Sequence, residues 1–189
     1  MDLNGSIFER INDLAGHVQL IDDGMVLAAR YTVFVIASLV IASWFVRVGT
    51  GEDRRMAVYT AVLSAAIALG IAAVIQQIYV HQRPFVVRDD VVLLLKHGAD
   101  TSFPSQHSTV AFAMATGIAL YRSRLGVALL LLASVTAFSR VYVGVHYPAD
   151  VFGGAVIGGG AAISAWGLRP ALARIDRSIV LRIVPNPLQ

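Results

Sequence analysis

Residues 56–80 read MAVYTAVLSAAIALGIAAVIQQIYV, 25 positions without one charged side chain. At ~1.5 Å of rise per residue a helix of that length reaches ~37 Å. That exceeds the ~30 Å hydrocarbon core of a bilayer. Every backbone polar group is satisfied inside such a helix, the condition a segment must meet to sit in lipid. The stretch therefore predicts a membrane-spanning helix, and the rest of the chain is read around it.

Four further apolar stretches flank it. Residues 25–46 are interrupted only by Arg30, residues 108–121 give 14 uncharged positions, residues 125–139 give 15, and residues 151–168 give 18. The two shortest reach only about 21–23 Å as helices. They are either buried core helices or spans that continue through polar residues at one end. All five are expected to span. Only Arg122, Ser123 and Arg124 separate two of them, which suits a tight turn between antiparallel helices. Upstream, Ile7, Phe8, Ile11, Leu14 and Val18 recur at helical spacing opposite Glu9, Arg10 and Asp13. That pattern predicts an amphipathic helix over 6–20, lying on the membrane surface.

The composition agrees. Of 189 residues, 57% are hydrophobic and 14% charged, against roughly a quarter charged in soluble domains; mean hydropathy is +0.69. The absence of cysteine excludes disulfides, thiolate nucleophiles and thiolate metal sites. The opening MDLNGSIFERINDL lacks a basic start followed by an apolar core, so no signal peptide is expected. The expected fold is all-α, a polytopic membrane helix bundle of five transmembrane helices plus an N-terminal interfacial amphipathic helix. It forms a single domain over 1–189, divided into the interfacial helix (1–24), the transmembrane bundle (25–168) and a cytoplasmic tail (169–189).

The net charge of +3 does not signal nucleic acid, because of where the charge lies. Arg47, Arg54 and Arg55 follow the first span, Arg122 and Arg124 the third, and Arg169, Arg174, Arg177 and Arg182 the fifth. With five crossings these share one face, which the positive-inside rule makes cytoplasmic. The loop 81–107 and the stretch 140–150 then meet on the opposite, extracytoplasmic face. They bring Arg83, Lys96, His107, Arg140, His146 and Asp150 to one membrane surface, where ionisable groups are costly and tend to be functional.

That inventory suits phosphoryl transfer. Guanidinium groups bind phosphate bidentately and stay charged. One histidine can attack phosphorus when a carboxylate fixes its tautomer, and a second can protonate the departing oxygen. His146 and Asp150 stand four apart with Pro148 between them, a residue tolerated in a helix's first turn, so His146 is expected at a helix mouth. Ser105 is expected to cap the helix carrying His107, leaving backbone N–H groups for phosphate oxygens.

Three motifs carry a resemblance: Arg83-Pro84; Pro104-Ser105-Gln106-His107; and Ser139-Arg140, five residues, His146, three residues, Asp150. They resemble the signatures of the type 2 phosphatidic acid phosphatase (PAP2) superfamily. Arg83-Pro84-Phe85, Leu93-Leu94-Leu95-Lys96-His97, Ser102-Phe103-Pro104-Ser105 and Ile11 to His17 are similar to its BcrC-type undecaprenyl pyrophosphate phosphatases. The resemblance implies that His146 is the nucleophile, forming a phosphohistidine, with Asp150 orienting it. It implies that His107 is the general acid and later the base, and that Arg83, Arg140, Ser105 and the Gln106 N–H hold phosphate. The implied reaction converts undecaprenyl pyrophosphate to undecaprenyl phosphate and phosphate, recycling a cell-wall lipid carrier. No cofactor and no essential metal are expected. The partners expected are a membrane lipid substrate and the bilayer, not nucleic acid. Alternatives are a phosphatase of phosphatidylglycerophosphate or phosphatidic acid, phosphotransfer to a lipid acceptor, and a lipid-phosphate binder or transporter without turnover.

Two positions depart from the pattern. Gln76 stands where the first motif has lysine, and Gln106 where the second has glycine. Lys96 is a candidate replacement cation, against its plainer reading as a solvated loop residue. His17, His81 and His97 are read as interfacial, and Asp89 and Asp90 as solvated. Trp44, Tyr121 and Trp166 are read as belt aromatics, and Gly153, Gly154, Gly158, Gly159 and Gly160 as a helix-packing face.

Overall fold

The computed structural model describes residues 3–45, 51–121 and 124–183, the side chains of 51–52 and 177–183 excepted. The described residues form eight helices and no strand: α1 (Leu3–Asn12), α2 (Gln19–Ser43), α3 (Gly51–Ile78), α4 (Pro84–Val87), α5 (Gln106–Ala119), α6 (Arg124–Tyr142), α7 (Pro148–Gly167) and α8 (Arg169–Ile183).

Four of these, α2, α3, α6 and α7, are long and apolar enough to cross a membrane. The spans expected at 25–46 and 125–139 are both extended. α2 begins at Gln19, and α6 runs on through Arg140 to Tyr142, reaching 19 residues. α5 does not lengthen in this way. It keeps 14 residues, eight of them buried, about 21 Å in all. The stretch over 108–121, expected to span, is therefore not among the four helices long enough to cross by themselves. α2, α3, α6 and α7 pack around α5, so protein covers the surface that a longer span would show to lipid.

The outer faces are apolar. Leu27, Phe34 and Ile41 on α2, Val62 and Val74 on α3, Leu131 on α6, and Phe152, Val156 and Ile163 on α7 are all exposed. A soluble protein rarely exposes so continuous an apolar surface. The chain is a multi-pass membrane protein.

Two apolar clusters mark the ends of the bundle. One joins Ile36 and Val40 to Ala57, Ile118 and Leu129. It pairs the end of α2 with the start of α3, and the end of α5 with the start of α6. The other joins Ala15 and Ala29 to Leu95, Tyr142, Val143 and Val145. The helices therefore alternate in direction, and the segments 79–105 and 143–147 share one end. The sequence-based convergence is found. Arg54, Arg55, Arg124 and Arg169 lie near helix ends opposite these segments, and Arg174 lies within α8. Arg47, Arg122 and the side chains of Arg177 and Arg182 fall outside the described residues.

Both chain ends differ from expectation. α1 stops at Asn12 rather than continuing to 20. The Asn12 amide is drawn into the bundle, donating to Val92 O (3.0 Å) and Tyr142 O (2.9 Å) and accepting from Val92 N–H (2.9 Å). Phe8 is buried against Val141 and Tyr147, so part of the apolar face of α1 packs on protein rather than on lipid. The expected tail forms α8, tied to α3 where the Arg55 fork grips buried Asp176 at 2.8–3.1 Å and Tyr59 donates to the same carboxylate at 3.1 Å.

Three of the five glycines expected to form a packing face on α7 do so. A Cβ on Gly158 would sit 2.4 Å from Thr109 O and 2.7 Å from Ala113 N, and one on Gly154 would sit 2.9 Å from Ser105 O. These two let the α7 and α5 backbones touch, and Gly153 accommodates the Phe103 ring. Gly159 and Gly160 face open space. Gly158→Ala is therefore expected to cost about 1–3 kcal/mol through overpacking, read as a Tm lower by several degrees in detergent. Gly160→Ala leaves Tm unchanged or raised.

Candidate active site

His146 sits in the five-residue turn between α6 and α7. Gly144 makes that turn possible. Its φ is +83°, and a Cβ there would lie 2.8 Å from both Val91 Cγ1 and Val92 O. Pro148 opens α7, and Asp150 is its third residue. The Asp150 carboxylate accepts the Tyr147 backbone N–H at 2.8 Å, a cap of the helix start. Capping and contact with the histidine coexist in one carboxylate.

The contact with His146 is less direct than a simple pair. Asp150 Oδ2 stands 3.5 Å from His146 Nδ1, long for a hydrogen bond. Ser102, fully buried, closes the gap. Its Oγ lies 3.2 Å from His146 Nδ1 and donates to Asp150 Oδ2. Since the serine proton goes to the carboxylate, Nδ1 must carry the ring proton and donate to Ser102. On the other side of the ring, Arg83 Nη1 lies 3.2 Å from Nε2. Guanidinium only donates, so Nε2 holds the lone pair. Two independent contacts thus fix one tautomer, with the unprotonated nitrogen beside an arginine. Burial pushes the His146 imidazole down to about 3; the bond to Asp150 raises it, and the Arg140 and Arg83 charges lower it again. The ring is neutral at any physiological pH.

Arg83 is 4% exposed, and each of its three nitrogens has a partner. Nη1 also donates to Val145 O (2.9 Å), Nη2 to Thr101 O (3.3 Å), and Nε to Asp100 Oδ1 (2.9 Å). Partial burial raises the Asp100 carboxyl, but the bond and charge of Arg83 outweigh it and hold the group below its ordinary value. Arg140 differs. It is 2% exposed and donates from Nη1 to Ala29 O at 3.3 Å. Its Nε and Nη2 are buried with no partner among the described residues. Those two atoms form the side-on fork of a guanidinium, matched to two oxygens of an oxyanion. Leaving them unpaired in a protein interior costs free energy that a bound phosphate would recover.

His107 opens α5, half-buried and within electrostatic reach of Arg140, His97 and Arg83. Ser105 occupies the N-cap position, yet its hydroxyl makes no capping bond and instead accepts from Ser108 at 3.3 Å. The first N–H groups of α5 therefore have no side-chain cap. Gln76 donates to Pro104 O (3.1 Å) and accepts from the exposed Gln106 amide (2.8 Å). The two departures from the family pattern are thus bonded to each other. Lys96 is exposed and makes no hydrogen bond or ion pair among the described residues.

Two histidines read as interfacial lie in the site. The His97 ring meets the His146 ring edge-on, centroids 6.4 Å apart. Burial, then the Arg83 charge, lowers its pKa. His81 Nδ1 lies 3.0 Å from Asp150 Oδ1. Neither they nor Ser102 could be found by periodicity, because all three stand on the irregular segment 79–105. Among the described residues no group of three or more His, Asp or Glu is placed to hold a metal ion.

The PAP2 superfamily model matches residues 57–174, spanning α3 to the first turns of α8. The chain belongs to the PAP2 superfamily. Within it, the chain is 34% identical to Undecaprenyl-diphosphatase BcrC of Bacillus subtilis (strain 168) over 155 residues, 82% of this chain and 78% of that protein. It is 30% identical to the Bacitracin transport permease protein BcrC of Bacillus licheniformis over 191 residues, 98% and 93% of the two chains. Among solved structures, Aquifex aeolicus LpxE superposes with a TM-score of 0.75 at 27% identity, covering 87% of this chain and 95% of that one. A PAP2-type phosphatidylglycerolphosphate phosphatase from Bacillus subtilis shares the fold, with a TM-score of 0.67 at 21% identity over 90% and 88%.

Proposed function

We propose that this PAP2 protein is a lipid phosphatase that hydrolyses a polyprenyl pyrophosphate, undecaprenyl pyrophosphate foremost, at the extracytoplasmic face of the membrane. The observation that carries the phosphate assignment is the buried, unpartnered fork of Arg140 beside a neutral histidine whose lone pair faces Arg83. The preference for a prenyl pyrophosphate is supported by the BcrC relatives, one of which bears the name undecaprenyl-diphosphatase.

In this reaction His146 Nε2 attacks the terminal phosphorus as the bond to the bridging oxygen breaks. Undecaprenyl phosphate leaves, its oxygen protonated by His107. Arg140 and Arg83, with the α5 N–H groups, hold the charge that builds on the phosphoryl oxygens. Ser102 and Asp150 hold the Nδ1 proton and stabilise the cation that forms. His107 then takes a proton from water, whose oxygen attacks phosphorus, and the P–N bond breaks to release phosphate. The α5 helix completes the fifth crossing inside its sheath of neighbours, and the arginines of the opposite end mark the cytoplasmic side. The whole chain acts as one domain.

The test is a panel of lipid phosphates assayed in detergent with EDTA. Phosphate release is expected to be fastest from the C55 pyrophosphate and insensitive to chelation. Faster release from phosphatidylglycerophosphate would reassign the substrate to glycerophospholipids. Tight binding without release would make the protein a binder.

A further inference from the structure

The Asp150 carboxylate is fully buried, and its two oxygens have separate surroundings. Oδ2 serves His146, Ser102 and the Tyr147 N–H. Oδ1 has one hydrogen-bond partner among the described residues, His81 Nδ1 at 3.0 Å. A buried carboxylate oxygen needs a donor, so Nδ1 carries a proton. The His81 side chain is about a third exposed, and with Val80, Gln82, Val87 and Tyr147 it lines a cleft of ≈ 450 Å³.

The backbone of His81 is bound to the same machinery. Its carbonyl accepts the Ser102 N–H at 2.6 Å, and its N–H donates to Thr101 Oγ1 at 3.0 Å. Its ring lies between Tyr79, stacked at 6.0 Å, and Tyr147 at 5.4 Å. One residue therefore holds both groups that hold the His146 proton.

We propose that His81 is a positioning residue for phosphoryl transfer, its Nδ1–H clamping Asp150 Oδ1 so that Oδ2 and Ser102 keep His146 Nδ1 protonated and Nε2 aimed at phosphorus. The clamp matters because the Oδ2 to Nδ1 separation of 3.5 Å is too long to fix the carboxylate by itself. Ser102 and the Tyr147 N–H anchor Oδ2, and the clamp on Oδ1 fixes the plane of the carboxylate about that anchor. The inference rests on the reading of His146 as the nucleophile.

The experiment compares His81→Ala, His81→Asn and His81→Gln with wild type and His146→Ala, measuring kcat, KM and Tm on undecaprenyl pyrophosphate. The asparagine amide can place an N–H where Nδ1 stood; the glutamine amide reaches toward the Nε2 position instead. His81→Ala and His81→Gln are expected to lose about tenfold to a hundredfold in kcat, the scale of an orienting partner's loss, with KM held. His81→Asn is expected to recover most of the activity. Wild-type kcat in His81→Ala overturns the proposal. So does a loss confined to KM, or equal losses in the asparagine and glutamine variants at matched Tm. Activity surviving in His146→Ala would instead overturn the underlying reading of the site.

Discussion

His146→Ala is expected to lower kcat for phosphate release by about 10⁴-fold or more, the scale seen when a covalent nucleophile is removed. The prediction follows from the two contacts that fix the ring. Ser102 and Asp150 leave the proton on Nδ1, and the Arg83 donor requires a lone pair on Nε2. The substitution removes the nitrogen that bonds to phosphorus. Substrate affinity should change little, because Arg83 and Arg140 remain. Apart from the Arg83 contact to the His146 ring itself, their bonds run to Asp100 Oδ1 and to main-chain oxygens, Val145 O, Thr101 O and Ala29 O, that the substitution leaves in place. The burial that holds the imidazole near 3 adds a second feature. His146 stays neutral between pH 5 and 8, so an acid limb of the wild-type rate in that window belongs to another group. Steady-state rates and an equilibrium binding measurement together check both parts.

Arg140→Lys is the second large effect. It keeps the charge but removes the fork. The buried Nε and Nη2 lack partners, which is the arrangement expected where two oxygens of one phosphoryl group are received side by side. An ammonium offers a point charge and no planar pair. A loss of about 10²–10³ in kcat/KM is expected, comparable to removing one preorganised donor from a transition state. Tm should hold, since Arg140 has a single internal hydrogen bond, to Ala29 O at 3.3 Å. Near wild-type kcat/KM in Arg140→Lys would show that charge alone suffices and would remove the fork from the account. A collapse of Tm would make Arg140 a structural residue.

Much of this site could be read before any coordinates. Pro148 can stand at the start of a helix but not in its middle, so the spacing from His146 to Asp150 already placed the histidine at a helix mouth. Alternation of apolar stretches then brought Arg83, His107 and Arg140 to the same end. The residues missed are those whose position depends on tertiary contact. Ser102 and His81 reach Asp150 only because segment 79–105 folds back, with Ser102 N–H on His81 O and Leu94 N–H on Val143 O. No periodicity encodes that return. The same limit explains α5, whose length alone could not decide between a span and a core helix. It likewise explains α7, where Gly158 and Gly160 read alike in sequence but face backbone and open space respectively. Lys96 and the Gln76–Gln106 pair show the limit from the other side. A missing cation suggested a substitute, and the structure instead bonds the two departures together.

The most direct measurement is rapid acid-free quenching of wild-type enzyme turning over undecaprenyl pyrophosphate labelled at the terminal phosphate, followed by mapping of labelled protein. One acid-labile, base-stable phosphoryl adduct is expected, on the Nε2 nitrogen of His146 and absent from His146→Ala. Turnover with no covalent adduct, or label fixed to any other side chain, would contradict it.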